Sequence, residues 1–190
     1  MIQVRGDAVT AFGTPSLSLA EALRQRRTVH SFQPELPPRE AVLRAIDAAR
    51  WAPNHHHTEP WRFVWLGPES AARVVEINTE LVTARKGPES GEVKRKRWSE
   101  VPGWLTVTCP RTADAQRQQE DYAACCCAIQ NFSLSLWSEG IGVKWSTGDV
   151  TRDPRFFELI GTDPETHFVV GLLWYGYPAE IPDQRRKPVA

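Results

Sequence analysis

Two basic side chains and a hydroxyl, Arg26-Arg27-Thr28, close a short helical pattern. A polar turn between aromatics, Trp51-Ala52-Pro53-Asn54-His55-His56-His57-Thr58-Glu59-Pro60-Trp61, closes the next one. Guanidinium forks donate paired, charge-assisted hydrogen bonds and suit a phosphate dianion, and Thr28 adds a neutral donor. The turn offers backbone and imidazole donors to something flat and polar. A helix of about thirteen residues spans roughly 20 Å, so two successive antiparallel helices are expected to return the second block to the neighbourhood of the first. A phosphorylated aromatic ligand fits such a shared site. Cations at a helix C-terminus also oppose the negative end of the macrodipole, which gives the two arginines a purely structural explanation.

Other constellations point less firmly to chemistry. His55, His56 and His57 invite a metal reading, but in an extended segment only His55 and His57 share a side, with Glu59 as the sole close carboxylate, so no metal site is expected. Cys109 and the consecutive Cys125, Cys126 and Cys127 have neither CxxC nor zinc-ligand spacing. They read as reduced, core-filling thiols. Gly140-Ile141-Gly142-Val143-Lys144-Trp145-Ser146-Thr147-Gly148 follows a helix and opens a strand, the reverse of the dinucleotide fingerprint. Arg185-Arg186-Lys187-Pro188 is either a solvated basic tail or a further phosphate clamp. Lys94-Arg95-Lys96-Arg97 lacks any recognition motif that would direct it to nucleic acid. No nucleophile and base can be assembled in Ser-His-Asp or Cys-His order, so no catalytic side chain is assigned.

The elements that must position these groups alternate along the chain. Ser18 and Glu21 form a capping box that opens a short helix ending near Arg27. Pro37-Pro38 opens a second, with Val42, Ala45, Ile46 and Ala49 on one face and Pro53 as its stop. A strand from Trp61 to Leu66 precedes a third helix marked by Val74, Val75, Leu81 and Val82. The charged stretch Lys86 to Glu100 reads as a surface excursion or the start of another short helix. Trp104 to Cys109 reads as a strand, and Gln118 to Glu139 as the longest helix, apolar enough on several faces for the core or a subunit interface. Val143 to Trp145 is a short strand, Phe156 to Ile160 a short helix, and Phe168 to Tyr175 an apolar strand.

Composition bounds the possibilities. At 190 residues the chain fits one domain with its own core. Lys plus Arg equals Asp plus Glu at 23 each, so the overall charge gives no reason to expect nucleic acid. No stretch approaches the ~20 apolar residues of a membrane span, and Met1 to Pro15 lacks a signal-like apolar run. A cytoplasmic protein without a membrane partner is expected. Eight tryptophans supply large amphipathic rings of the kind that line aromatic pockets and interfaces.

Taken together, Arg26-Arg27-Thr28 with Phe32, the Ala48-to-Phe63 stretch, the Gly140-to-Gly148 segment and Gly171-Leu172-Leu173-Trp174-Tyr175-Gly176-Tyr177-Pro178 before Arg186 resemble the nitroreductase family, and its short bacterial branch most closely. The resemblance covers residues 17–188, with 1–16 as an N-terminal extension. It implies an α+β fold, a central and mostly antiparallel sheet flanked by helices, and a homodimer with one FMN at each of two interface sites. It implies that Arg26, Arg27 and Thr28 hold the FMN phosphate and ribityl chain, joined by Arg186, and that His55 contacts the flavin or ribityl chain. Trp145, Ser146 and Thr147 line the cofactor, Trp51 neighbours it, and Pro53 and Asn54 bring backbone groups to the ring. The activity implied is ping-pong passage of hydride from NADH or NADPH through flavin N5 to a nitroaromatic or quinone-like acceptor.

Four positions depart from the pattern. Thr28 replaces the commoner Ser, His30 stands where many members carry another Arg, and His57 and Glu59 replace Asn and Gln. Glu59 is acceptor-only when ionised. His30 and Glu59 motivate an alternative, a flavin-binding or regulatory protein on the same scaffold with little turnover. A metal-binding or basic-tail interaction module is a third reading.

Overall fold

Ser18 starts the helical part of the chain as the sequence suggests. Its hydroxyl accepts from Glu21 N at 3.3 Å, and its own N donates to Glu21 Oε2 at 2.8 Å. The Ser18 hydroxyl also donates to Glu21 Oε2 at 2.6 Å, and this bond, then the one from Ser18 N, holds the Glu21 carboxyl below the usual range. The helix α1 (Leu19–Gln25) is only two turns long and ends where Arg26 becomes extended. The computed structural model describes residues 2–3 and 17–188.

The helix α2 (Arg39–Ala49) buries Ala41, Val42, Ala45, Ile46 and Ala49, and these mostly small residues let it approach α5 (Ala115–Ser138) closely. Next come β2 (Arg62–Leu66), α3 (Pro68–Lys86) and α4 (Pro88–Ser99). The charged stretch read as an excursion or short helix is thus a twelve-residue helix. Gly87 separates it from α3 with φ 88°, a left-handed conformation that suits glycine, and Pro88 then fills the first helical turn. β3 (Gly103–Pro110), α5, β4 (Gly142–Ser146), α6 (Pro154–Leu159) and β5 (His167–Gly176) complete the order. Ahead of them all, β1 (Ile2–Gln3) pairs with β2.

The sheet runs β1-β2-β3-β5-β4, and every neighbouring pair is antiparallel. Side chains alternate between its two faces. Phe63, Leu105, Val107, Val143, Leu173 and Tyr175 join the core under α2 and α5. Val64, Leu66, Trp104, Leu172 and Trp174 join a second core under α3 and α6, closed by Trp98 of α4. Strands covered on both faces read as continuous apolar runs, which explains Phe168 to Tyr175. Cys109 and Cys125 are buried as expected of core thiols, but Cys127 is exposed, because consecutive helical residues splay around the axis.

Tight packing between β3 and β5 gives a first prediction. A Cβ on Gly103 would lie 2.3 Å from Tyr175 Cε2, and the Tyr175 hydroxyl is already fixed by Trp65 Nε1 at 2.6 Å. Gly103→Ala is therefore expected to cost about 1–3 kcal/mol, seen in thermal denaturation as a fall of roughly 2–4 °C per kcal/mol. An unchanged Tm would show that Tyr175 swings away freely.

Candidate functional site

After α1 the chain runs along the free edge of β4. Thr28 bridges Val143 in parallel, and Val29 N donates to Val143 O at 3.2 Å. Farther on, Phe32 bridges Pro178, Gln33 N donates to Tyr177 O at 2.8 Å, and Ala179 N donates to Ser31 O at 3.1 Å. One segment thus binds both the edge strand and the chain leaving β5. This stitching brings Arg26, Arg27 and, from the C-terminal tail, Arg186 into one corner. Gly142 permits it, since a Cβ there would lie 2.3 Å from Val29 Cγ2. Gly142→Ala is expected to pry the segment from β4 at a cost of about 1–3 kcal/mol, read as a fall in Tm; an unchanged Tm would show that the segment re-seats.

The corner is strongly electropositive. Burial, then the nearby Arg186 and Arg27, hold the half-buried Arg26 guanidinium below its ordinary value, although arginine remains charged. Among the described residues none of the three has a carboxylate within 4.0 Å. The helix-end explanation holds for Arg27, whose Nη1 donates to the carbonyls of Arg24 at 2.8 Å and Arg26 at 3.1 Å. It does not hold for Arg26. Three like charges gathered without a counter-charge suit a multiply charged anion, so the corner fits the phosphate end of FMN.

Beside it lies the β4 segment. Trp145 Nε1 donates to Val170 O at 3.0 Å, and its indole crosses Gly171, where a Cβ would come within 2.3 Å. Trp145 as a whole is 38% exposed. Ser146 is half-buried and Thr147 is exposed.

The second block is a turn, as expected, and not the extended segment of the metal reading. Residues His55–His57 form a 3-10 turn, and His56, His57 and Glu59 have φ of 56°, 51° and 44°. Non-glycine residues in that region are held there by their surroundings. Asn54 supplies part of the hold: its Oδ1 accepts from Glu59 N at 3.0 Å and its Nδ2 donates to Ala52 O at 3.3 Å. Thr58 donates to Asp121 Oδ1 at 2.6 Å and ties the turn to α5. The His55 and His56 rings lie 3.9 Å apart. Among the described residues no group of three or more His, Cys, Asp or Glu side chains converges as a metal site.

The expected meeting of the two blocks through a helical pair is corrected by the structure. Both α1 and α2 pack on α5. The Asn54 turn is tied to Asp121, whereas Val29 packs with Ala22 against Trp137. At about 1.5 Å per residue these anchor points are roughly 24 Å apart along α5. Within one chain, then, Arg26, Arg27, Thr28 and Arg186 gather beside Trp145, Ser146 and Thr147, while Trp51, Pro53, Asn54 and His55 gather far away. Trp51 is 79% exposed. Two concavities, of about 580 and 460 Å³, include none of these residues in their linings.

Lys144 lies within the Gly140-to-Gly148 segment but was given no role of its own. Its Nζ lies 3.9 Å above the Trp174 ring, and burial, then Arg97 and Lys94, push it down to about 8. His30 is held below its ordinary value by burial, then Lys144 and Arg97.

A single antiparallel sheet with helices on both faces defines an α+β class of protein. The chain belongs to the nitroreductase family, whose model matches residues 23–177. A relative, YfhC of Bacillus subtilis (strain 168), provisionally named an NAD(P)H nitroreductase, is 31% identical over 177 residues, covering 90% of each chain. A nitroreductase-like family protein from Bacillus cereus superposes with TM-score 0.78 at 28% identity, over 96% of this chain and 95% of that one. Iodotyrosine deiodinase bound to FMN and 3-iodo-L-tyrosine superposes with TM-score 0.70 at 25% identity, over 91% and 97%. The fold is therefore nitroreductase-like, and one of these relatives holds FMN.

Proposed function

We propose that the protein is an FMN-dependent NAD(P)H oxidoreductase acting as a homodimer, each flavin being held by residues of both subunits. The observation that carries this is the corner of Arg26, Arg27 and Arg186, three cations without a carboxylate partner among the described residues, set far from the aromatic turn. A two-fold dimer built on antiparallel α5 helices resolves the separation, because the Asp121 end of one helix then lies beside the Trp137 end of the other. The outward stripe of α5, Gln119, Tyr122, Ala123, Cys127 and Gln130, carries no charge and is exposed in the single chain. Such a surface suits burial against a copy of itself.

In this reading Arg26, Arg27 and Arg186 bind the phosphate, Thr28 donates a hydroxyl beside it, and Trp145, Ser146 and Thr147 line the ring on one side. The partner subunit's Trp51, Pro53, Asn54 and His55 close the other side and exclude water. When bound, FMN supplies the redox chemistry, taking hydride from NADH or NADPH and passing electrons to an acceptor. The protein's work is binding, orientation and electrostatics. Exposed indoles at Trp51 and Trp145 favour flat acceptors such as nitroaromatics or quinones by stacking. No described helix is long and apolar enough to cross a membrane.

Reconstitution tests the proposal directly. The protein incubated with FMN is expected to retain a flavin spectrum after gel filtration, to bleach with NADH or NADPH without oxygen, and to recover colour with a nitroaromatic or quinone. Absence of bound flavin at micromolar protein overturns the reading. A flavin that binds but stays oxidised supports the low-turnover alternative instead.

A further inference from the structure

The starts of α2 and α3 and the link from α4 into β3 meet around a cavity of about 580 Å³. None of the residues lining it belongs to the arginine corner, the histidine turn or the outward stripe of α5. Buried Trp98, Trp104 and Tyr175 and half-buried Trp65 form its walls, and exposed Arg39 stands at its rim. The rings of Trp98 and Trp104 lie 5.6 Å apart, so one wall is continuous aromatic surface.

Two of the indole nitrogens along this wall are already occupied. Trp65 Nε1 donates to the Tyr175 hydroxyl at 2.6 Å, and Trp104 Nε1 donates to Val101 O at 3.0 Å. Trp98 differs: it is 6% exposed, yet its Nε1 donates to none of the described residues and is not sealed from solvent as the Nε1 atoms of Trp137 and Trp174 are. Arg39 differs too. Its guanidinium carbon lies 5.1 Å from the Trp65 ring centroid, and among the described residues no carboxylate lies within 4.0 Å of it. An apolar, aromatic wall with a few placed polar groups is the make-up of a small-molecule site, and an apolar body seated there is driven by release of water from that wall.

We propose that this cavity binds a flat aromatic carboxylate, with its ring against Trp65, Trp98 and Trp104 and its carboxylate on Arg39. The planar guanidinium, steadied on the Trp65 face, offers the carboxylate paired hydrogen bonds, and the Trp98 N–H is open to an oxygen on the ligand. Charge selects this occupant. A neutral apolar molecule leaves Arg39 without a counter-charge, and a nucleotide would set its several charges against one cation and an apolar wall. The volume falls within the roughly 300–1,000 Å³ of ligand sites and admits a small fused-ring molecule. The site does not depend on the flavin reading, because the two share no residue.

The probes are 2-naphthoate and its neutral counterpart 2-naphthylmethanol, titrated calorimetrically into the full chain with and without FMN, with the flavin spectrum followed in parallel. In both preparations 2-naphthoate is expected to bind at least tenfold tighter than the alcohol and to leave the flavin spectrum unchanged. Arg39→Met, which removes the charge and keeps the stem over Trp65, should bring the two probes within threefold of each other. Gly67→Phe should weaken both at least tenfold by narrowing the cavity, since Gly67 lines it at an ordinary φ of −74° and a Cβ there would meet nothing within 4 Å. A smaller preference in the wild type, or a preference above threefold that survives Arg39→Met, overturns the site. So does a Gly67→Phe protein of wild-type Tm that binds both probes as before, and so does binding that is seen only with FMN and perturbs its spectrum. Arg39 is exposed and joins no ion pair among the described residues, so Arg39→Met decides the question even where Gly67→Phe does not fold. Failure of the chain to take up FMN overturns the functional reading alone, because the flavin-free titration still decides the cavity.

Discussion

Arg26→Ala combined with Arg27→Ala is expected to reduce FMN affinity by about 10²–10⁴-fold, because each lost charge-assisted hydrogen bond is worth about 1.5–3 kcal/mol and every 1.4 kcal/mol is tenfold. The two single substitutions should separate in stability. Arg27 caps the C-terminus of α1 through the Arg24 and Arg26 carbonyls, so Arg27→Ala lowers the Tm of the flavin-free protein as well as the affinity. Arg26 has no such bond, and it is crowded by Arg186 and Arg27. Arg26→Ala should leave the flavin-free Tm unchanged or raise it, while removing part of the stabilisation that saturating FMN confers, which is about 2.7 kcal/mol at a hundred times Kd. A charge cluster that weakens the empty protein and tightens the filled one is the mark of a binding site. Affinity within threefold of wild type in the double variant, measured by flavin fluorescence titration, would return both arginines to a structural role.

The second large effect is recovery of function by mixing two defective chains. The variant Arg26→Ala/Arg27→Ala lacks the phosphate corner, and Trp51→Ala/Asn54→Ala lacks the aromatic turn. If one flavin site takes its corner from one subunit and its turn from the other, each homodimer is empty. A mixed dimer then holds one intact site and one doubly defective site. Random assortment of equal amounts yields about a quarter of the wild-type flavin content, since an isologous pair exchanges the same surfaces. Both parts in a single chain would give no recovery on mixing. The roughly 24 Å between the anchor points on α5 favours recovery, and flavin content per protein after co-refolding measures it.

Much of the fold was legible because it rests on local pattern. The Val42, Ala45, Ile46 and Ala49 stripe marked α2, and the Ser18-Glu21 box marked the start of α1. The arginine cluster was legible in type, since Arg27 and Arg186 do lie close to Arg26. The relation between the two blocks was not legible. Helix lengths suggested a returning pair, but both helices found a better partner in α5, whose long apolar face outcompetes the short α1 and α2 stripes. The stretch from Lys86 was ambiguous because α4 holds to the core chiefly through Trp98, most of its other residues being polar or, like Val93, exposed. The two-residue β1 has no periodicity to read. The left-handed run at His56, His57 and Glu59 is imposed by the Asn54 and Thr58 bonds rather than by residue type.

The strand order also sets a timetable for synthesis. β4 pairs with β5 alone, and the segment carrying Arg26 to Thr28 is registered on β4. Until residues 167–176 have left the ribosome, β4 has no strand partner and the arginines near the start of the chain have no edge to lie along. Arg186 emerges later still. Assembly of the arginine corner is therefore a closing event of biogenesis, available only after non-local sheet pairing, the slow step in such topologies.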